Sequence, residues 1–267
     1  MKKVFFFDID GTIVDNSRGL EDVSIKTKYA FNELSKDNYV LIASGRCKGL
    51  LDDKIKNLKT NGYVLCNGSY AEVNNEVIFS KTFSKEEVRT IKQIVKQLGG
   101  FTILETLDDV FTESKKHPLF IRFLQGWNKP DDEFKEDGQL EDGVHIMMVG
   151  FETEELVTKA QEELSKIAGV DRHYWYLSHD INIKNINKVV GCKKVIEYLN
   201  IDLKDSYAFG DGINDIQMLE SVGHPVVMEN AAPILKEKGY EQTDDVVNDG
   251  VYNYLVKNGL IKPLEEL

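Results

Sequence analysis

The chain has 267 residues, 42% hydrophobic and 29% charged, with a formal net charge of -12. This is an ordinary globular composition, long enough for one large domain or two smaller ones. The acidic balance argues against a general nucleic-acid binder, which needs a basic face, but not against a small phosphorylated substrate held in a locally positive pocket.

In chain order, the first apolar run is VFFF at Val4–Phe7, and it enters the polar segment DIDGT directly. The stretch EDVSIKTKYAFNELSKD then predicts a helix, with Val23, Tyr29, Ala30, Phe31 and Leu34 near one face. A second apolar run, YVLIA at Tyr39–Ala43, ends in SGR. The middle of the chain has a different texture. SKEEVRTIKQIVKQLG reads as an amphipathic helix, and FTILET, LFIRFL, VHIMMVGF, HYWYL and INIKN read as strands. A second helix, TEELVTKAQEELSKIAG, lies among them. The polar, acidic stretch Gln125–Gly143 reads as a surface loop. Beyond it, NKVVGCKKVIEYLN predicts a helix, YAF at Tyr207–Phe209 runs into GDGIND, and NDIQMLESVG predicts a helix closed by Gly223. PVVM at Pro225–Met228 then runs into ENA.

Four apolar runs without polar alternation suit strands buried on both faces of a parallel sheet, and the helices between them complete an α/β pattern. In such sheets ligands bind beyond the carboxyl ends of the strands, so the polar segments should converge in space. The expected organisation is a core made of residues 1–82 and 182–267, interrupted by an α+β insert at 83–181. Cys47, Cys66 and Cys192 are few, odd in number and lack CxxC spacing, which fits a reducing cytoplasm without a disulfide framework. Neither a signal peptide nor a transmembrane helix is expected.

Asp8 and Asp10 stand at the end of a buried run, where like charges need a cation, and Mg²⁺ takes oxygen ligands of this kind. DID alone reads equally well as a solvated turn. In DIDGT, however, Gly11 permits a tight turn, Thr12 adds a hydroxyl, and successive N–H groups could form an anion-binding nest. Ser44 and Gly45 suit a phosphate oxygen, although taken alone Ser44 reads more readily as the cap of a following helix. Asp211 and Asp215 flank a glycine turn in which Asn214 also reads as an N-cap. Gathered together, Asp8, Asp10, Asp211 and Asp215 would repel one another and lose hydration at heavy cost unless a metal sat among them. Lys188, just before a predicted helix, is a candidate fixed cation, with Lys184 as its rival.

DIDGT, SGR, a lysine at a helix start and GDGIND, in that order, resemble the four motifs of the haloacid dehalogenase superfamily. The insert between the second and third motifs resembles the type IIB cap of its Cof-type phosphatases, and the tail VVMENAAPILKEKG resembles that subfamily's ending, with Glu229 where the subfamily often has Gly. The resemblance implies a Rossmann-like α/β core with an inserted α+β cap. It implies Asp8 as nucleophile, forming an aspartyl-phosphate, and Asp10 as acid and then base. Mg²⁺ would be held by Asp8, Asp211 and the Asp10 carbonyl, with Asp215 either a ligand or a support. Ser44, Gly45, Lys188 and Asn214 would bind the phosphoryl oxygens.

Asp10 favours phosphomonoester hydrolysis, or transfer between hydroxyls, over halide displacement. The expected activity is therefore a cytoplasmic Mg²⁺-dependent phosphatase of small metabolites such as sugar phosphates. It would have no nucleic-acid or membrane partner and would be a monomer or small homo-oligomer. A phosphomutase and a non-catalytic phospho-ligand sensor are the alternatives. Within the insert, Trp127, Trp175, Tyr176, Arg122 and His179 are candidate pocket residues, although the aromatics read more readily as packing or surface; outside it, Cys47 reads as an oxidant-sensitive thiol or, more commonly for such a Cys, a buried small hydrophobe.

Overall fold

The computed structural model describes residues 2–127, 131–173 and 177–265. They fall into two units, one of Met1–Gly45, Leu51–Ser80 and Asn187–Leu267, the other of Arg46–Leu50 and Lys81–Ile186. The first unit opens with β1 (Val4–Phe7), α1 (Ile25–Asp37), β2 (Tyr39–Ala43), α2 (Asp53–Lys56), β3 (Gly62–Leu65), β4 (Tyr70–Val73) and β5 (Glu76–Ser80). The second unit holds α3 (Lys85–Gln97), β6 (Phe101–Glu105), β7 (Val110–Thr112), α4 (Pro118–Trp127), β8 (Phe134–Glu136), β9 (Ile146–Gly150), α5 (Glu154–Leu164), β10 (Gly169–His173) and β11 (Ser178–Asn182). The first unit then resumes with α6 (Lys188–Leu199), β12 (Ser206–Gly210), α7 (Ile216–Glu220), β13 (His224–Val227), α8 (Pro233–Lys236), β14 (Glu241–Gln242) and α9 (Gly250–Lys257).

The four apolar runs are β1, β2, β12 and β13. They lie in an eight-stranded sheet of order β14-β13-β12-β1-β2-β3-β4-β5, parallel from β14 through β3 and antiparallel at β4 and β5. Every residue of β1 is inaccessible to solvent, as a strand covered on both faces requires. The chain leaves β1 toward β2 on one side and later returns to β12 on the other. The carboxyl end of β1 is therefore a topological switch point, where open α/β sheets place ligands. Helix α1 starts where Ser24 accepts the Thr27 N–H, a cap worth about 1 kcal/mol. It buries Ala30, Phe31 and Leu34, with the Phe31 ring 4.7 Å from that of Phe7.

In the second unit the sheet order is β10-β11-β9-β6-β7-β8, antiparallel except between β7 and β8. Helix α3 begins in a reciprocal capping box between Ser84 and Glu87. Val88, Ile91 and Val95 of α3 join Val157 and Ala160 of α5 in one apolar cluster with Leu104, Met147, Val149 and Ile181 of the sheet.

Four expectations change. LFIRFL is helical, not extended: Phe120 and Leu124 are one turn apart and both buried, and the Phe120 ring packs 5.9 Å from Phe101 and 5.3 Å from Phe134. A strand would set Arg122 on the same face between Phe120 and Leu124, whereas the helix stacks the two apolar side chains one turn apart and leaves Arg122 exposed. The acidic stretch is not wholly loop, because β8 within it pairs with β7 and buries Phe134. Gly223 does not end α7, which stops at Glu220. A Cβ there would lie 2.3 Å from the Leu203 carbonyl oxygen, so close backbone approach is what requires glycine. Residues 46–50 pack with the second unit, where the Gly49 N–H donates to the Leu107 carbonyl at 3.0 Å. Among the described residues no helix is long and apolar enough to cross a membrane.

Candidate active site

The sheet register assembles the site. Phe7 pairs with Phe209 on one side and Ile42 on the other. The next residues along, Asp8, Gly210–Asp211 and Ala43–Ser44, therefore emerge at one edge. The Asp8 N–H extends the ladder by donating to the Phe209 carbonyl at 3.1 Å. The chain then reverses tightly at Gly11, whose φ of +83° lies in the left-handed region. A Cβ at Gly11 would stand 2.1 Å from Asp211 Oδ2, so glycine is required on two counts.

The Gly11 and Thr12 N–H groups, which the sequence offers to an anion nest, are already bonded within the turn. The Gly11 N–H donates to the Val14 carbonyl, and the Thr12 and Ile13 N–H groups both donate to that of Ile9. What the turn supplies is the Thr12 hydroxyl, which donates to Asp211 Oδ1 at 3.0 Å.

Lys188 heads α6 and is 2% exposed; its ammonium donates to Asp8 Oδ1 and to Asp215 Oδ1, both at 2.6 Å. Asp215 is wholly inaccessible, and its other oxygen accepts the Asp211 and Gly212 N–H groups at 3.2 and 3.0 Å. Carboxylate oxygens of Asp8, Asp211 and Asp215 all lie within 4.8 Å of one another. Burial, followed by the charge of Asp215, holds the Asp8 carboxyl well above the ordinary range, even though Lys188 pulls the other way. The same two causes, in the same order, push Asp211 up to about 7. Burial opposes charge on Lys188, but the two aspartates outweigh it and hold the ammonium protonated. One ammonium beside three carboxyls, those of Asp8 and Asp215 buried and that of Asp211 half-buried, leaves the group short of positive charge. All the donors are hard oxygens, so Mg²⁺ fits them.

Asp10 lies in the same segment but is solvent-exposed. Ser44 is buried at the end of β2, and its N–H donates to the Val64 carbonyl at 2.9 Å. No helix starts there, so it caps none. Gly45 faces Asn67, whose Oδ1 would lie 2.9 Å from a Cβ at that glycine. Asn214 is exposed on a short turn at Ile213–Asp215 and caps no helix. Lys184 is exposed and donates to the Lys166 carbonyl, which leaves Lys188 as the lysine of the acidic group.

In the second unit His179 is a core residue. It is inaccessible, one ring nitrogen is 2.9 Å from the Val157 carbonyl oxygen, and burial lowers its pKa, favouring the neutral ring. Arg122 reaches the Phe151 carbonyl at 3.4 Å. Trp175 and Tyr176 lie outside the described residues, as does the side chain of Trp127. Cys47 is wholly buried and burial pushes its thiol far up, as befits a small buried hydrophobe and not an oxidant-sensitive group.

Two asparagines escaped sequence reading. Asn230 donates to the Gly11 carbonyl at 2.7 Å and accepts the Val246 N–H at 3.0 Å, tying the C-terminal region to the Asp10–Gly11 turn. Asn67 sits in the left-handed region at φ 49° and borders Ser44 and Gly45. Each follows an apolar run, in PVVMEN and YVLCN, and that position at a strand's carboxyl end was the available signal.

The model of the haloacid dehalogenase-like hydrolases matches residues 5–255. A Bacillus subtilis (strain 168) protein named "Putative phosphatase YkrA" is 32% identical over 97% of this chain and 99% of its own. A hypothetical protein from Geobacillus kaustophilus HTA426 superposes with a TM-score of 0.88 at 26% identity, covering 98% of this chain and all (100%) of its own. A sugar phosphatase of HAD subclass IIB superposes with a TM-score of 0.81 at 24% identity, over 97% of this chain and 100% of its own, and so shares the fold. With the four motifs gathered at one sheet edge and the family model spanning nearly the whole chain, the protein belongs to the haloacid dehalogenase-like hydrolases.

Proposed function

We propose that the chain is a Mg²⁺-dependent phosphomonoester hydrolase acting on small phosphorylated metabolites, with sugar phosphates as the first class to test. The observation that carries this reading is the acidic cluster itself, in which the buried Lys188 bridges Asp8 and Asp215 at 2.6 Å while the half-buried Asp211 completes a carboxylate group within 4.8 Å. The exposed Asp10, one residue beyond Ile9, supplies the proton-transfer group that such chemistry needs.

Asp8 attacks phosphorus through a carboxylate oxygen, and the bond from phosphorus to the ester oxygen breaks. Asp10 delivers its proton to that leaving oxygen, and the alcohol departs. Asp10, now a base, takes a proton from water as the water oxygen attacks phosphorus. The bond to Asp8 breaks, inorganic phosphate leaves and the carboxylate is restored. Ser44, the Gly45 N–H, Lys188 and Asn214 hold phosphoryl oxygens. Asp8 and Asp211 would hold Mg²⁺ with their carboxylates, and Asp10 with its backbone carbonyl. Asp215, with both oxygens already bonded, keeps Lys188 and the Asp211 backbone in place. When bound, Mg²⁺ offsets the charge that accumulates on the phosphoryl oxygens.

The test is phosphate release from a panel of phosphate esters, with and without EDTA. Wild type should release phosphate only with the metal. Asp8→Asn should abolish release, and Asp10→Asn should lower kcat by roughly 10²–10⁴-fold, the usual contribution of a positioned proton donor. Undiminished turnover in Asp8→Asn or in EDTA sinks the mechanism. Isomerised sugar phosphate without net release would instead identify a phosphomutase.

A further inference from the structure

The segment Cys66-Asn67-Gly68 follows β3 and has no role in the reading above. Its backbone is unusual, with φ of 51°, 49° and 86° at three successive residues, two of them not glycine. A left-handed non-glycine residue costs roughly 1 kcal/mol or more, least for Asn, and such strain persists only where the surroundings hold it. Here they do, since Cys66 and Asn67 are both buried.

The turn touches both halves of the proposed phosphoryl site. On one side the Asn67 N–H donates to the Ser44 carbonyl at 3.3 Å, and the Asn67 side-chain oxygen lies against Gly45. On the other, Gly68 abuts the start of α6. A Cβ on it would lie 2.0 Å from the Asn187 carbonyl oxygen and 2.9 Å from the Lys188 Cα. Gly191, one turn further along α6, is held equally close, since a Cβ there would meet Val64 Cγ1 at 2.4 Å and the Gly68 Cα at 3.1 Å. Ser44 and Lys188 come from chain segments more than a hundred residues apart in order, and this turn is packed directly against both.

We infer that the Cys66–Gly68 turn is a positioning element of the phosphoryl site, with Asn67 fixing the Ser44–Gly45 segment and Gly68 setting the height of Lys188. The inference rests on the proposed function, because it assumes that Ser44, Gly45 and Lys188 face the phosphoryl group.

Asn67→Gly keeps the left-handed backbone without strain and deletes only the carboxamide. Asn67→Asp keeps the shape and places a negative charge beside Gly45. Two readouts separate positioning from stability: kcat/KM with the best ester of the panel, and the Mg²⁺-dependent rise in Tm produced by inorganic phosphate. Asn67→Gly should melt close to wild type yet lose about tenfold or more in kcat/KM and most of the phosphate-induced shift. Asn67→Asp should lose more of both, with the loss concentrated in KM and phosphate affinity. A Gly variant within twofold of wild type in kcat/KM, with an unchanged phosphate shift, overturns the inference while leaving the proposed function intact. A wild type that neither turns over the panel nor responds to phosphate overturns both.

Discussion

Replacing Lys188 with methionine probes the charge balance of the site. The substitution keeps most of the side-chain volume but removes the ammonium 2.6 Å from both Asp8 and Asp215, in surroundings where Lys188 is 2% exposed and Asp215 fully buried. Deleting one partner of a buried ion pair costs about 3–5 kcal/mol, because the remaining charge is left uncompensated. For chains of this size about 1 kcal/mol corresponds to roughly 2–4 °C, so Tm should fall by roughly 6–20 °C at pH 8 without metal.

The sign of the pH dependence is fixed by the carboxyls. Asp8 and Asp211 already have raised values in the native state, and Asp8 rises further without Lys188. A group raised on folding keeps its proton where the unfolded chain has released it. Stability therefore falls as pH climbs from the ordinary carboxyl range through the folded value, which for Asp211 is about 7. The gap between variant and wild type should be small at pH 5, widen to pH 8, and narrow again on adding Asp8→Asn or Mg²⁺. Differential scanning calorimetry across that range measures it. A Lys188→Met protein that melts within 2 °C of wild type at pH 8, or a gap that ignores pH, refutes the reasoning.

The same carboxyls predict proton–metal competition. Mg²⁺ affinity by titration calorimetry should strengthen from pH 5.5 to 8, by up to about tenfold per pH unit below 7 for a single displaced proton. Equal affinity across the range would contradict a raised Asp211. Gly11→Ala must place a methyl 2.1 Å from Asp211 Oδ2 at φ +83°, and should weaken Mg²⁺ binding at least tenfold while costing about 1–2 kcal/mol in stability. Mg²⁺ affinity equal to wild type would show that Asp211 does not hold the metal. All three cysteines are buried, and burial raises the Cys192 thiol to about 12. Native protein should therefore react with a chromogenic disulfide reagent far more slowly than the urea-unfolded chain, which should release three equivalents; rapid native labelling of Cys47 would contradict its burial.

Sequence by itself determined the sheet and the membership of its active edge. Four uninterrupted apolar runs, each ending in a polar segment, suit the inside of a parallel sheet, and Asp8 and Asp211, with Asp215 just beyond, follow from where two of those runs stop. What it misassigned were choices set by packing: LFIRFL offers apolar residues at spacings that suit helix or strand, and only the Phe101 and Phe134 rings select the helix. Gly223 likewise reads as a helix stop until the Leu203 carbonyl is seen against it.

Only the tertiary structure decided which lysine faces the acids, that the Gly11 and Thr12 N–H groups are taken up within their own turn, and that Asn67 borders Ser44 and Gly45 while Asn230 bonds the Gly11 carbonyl. Each depends on groups far apart in the chain. Local propensity is a property of neighbours in sequence, whereas hydrogen bonding and charge compensation belong to neighbours in space, which the strand register brings together.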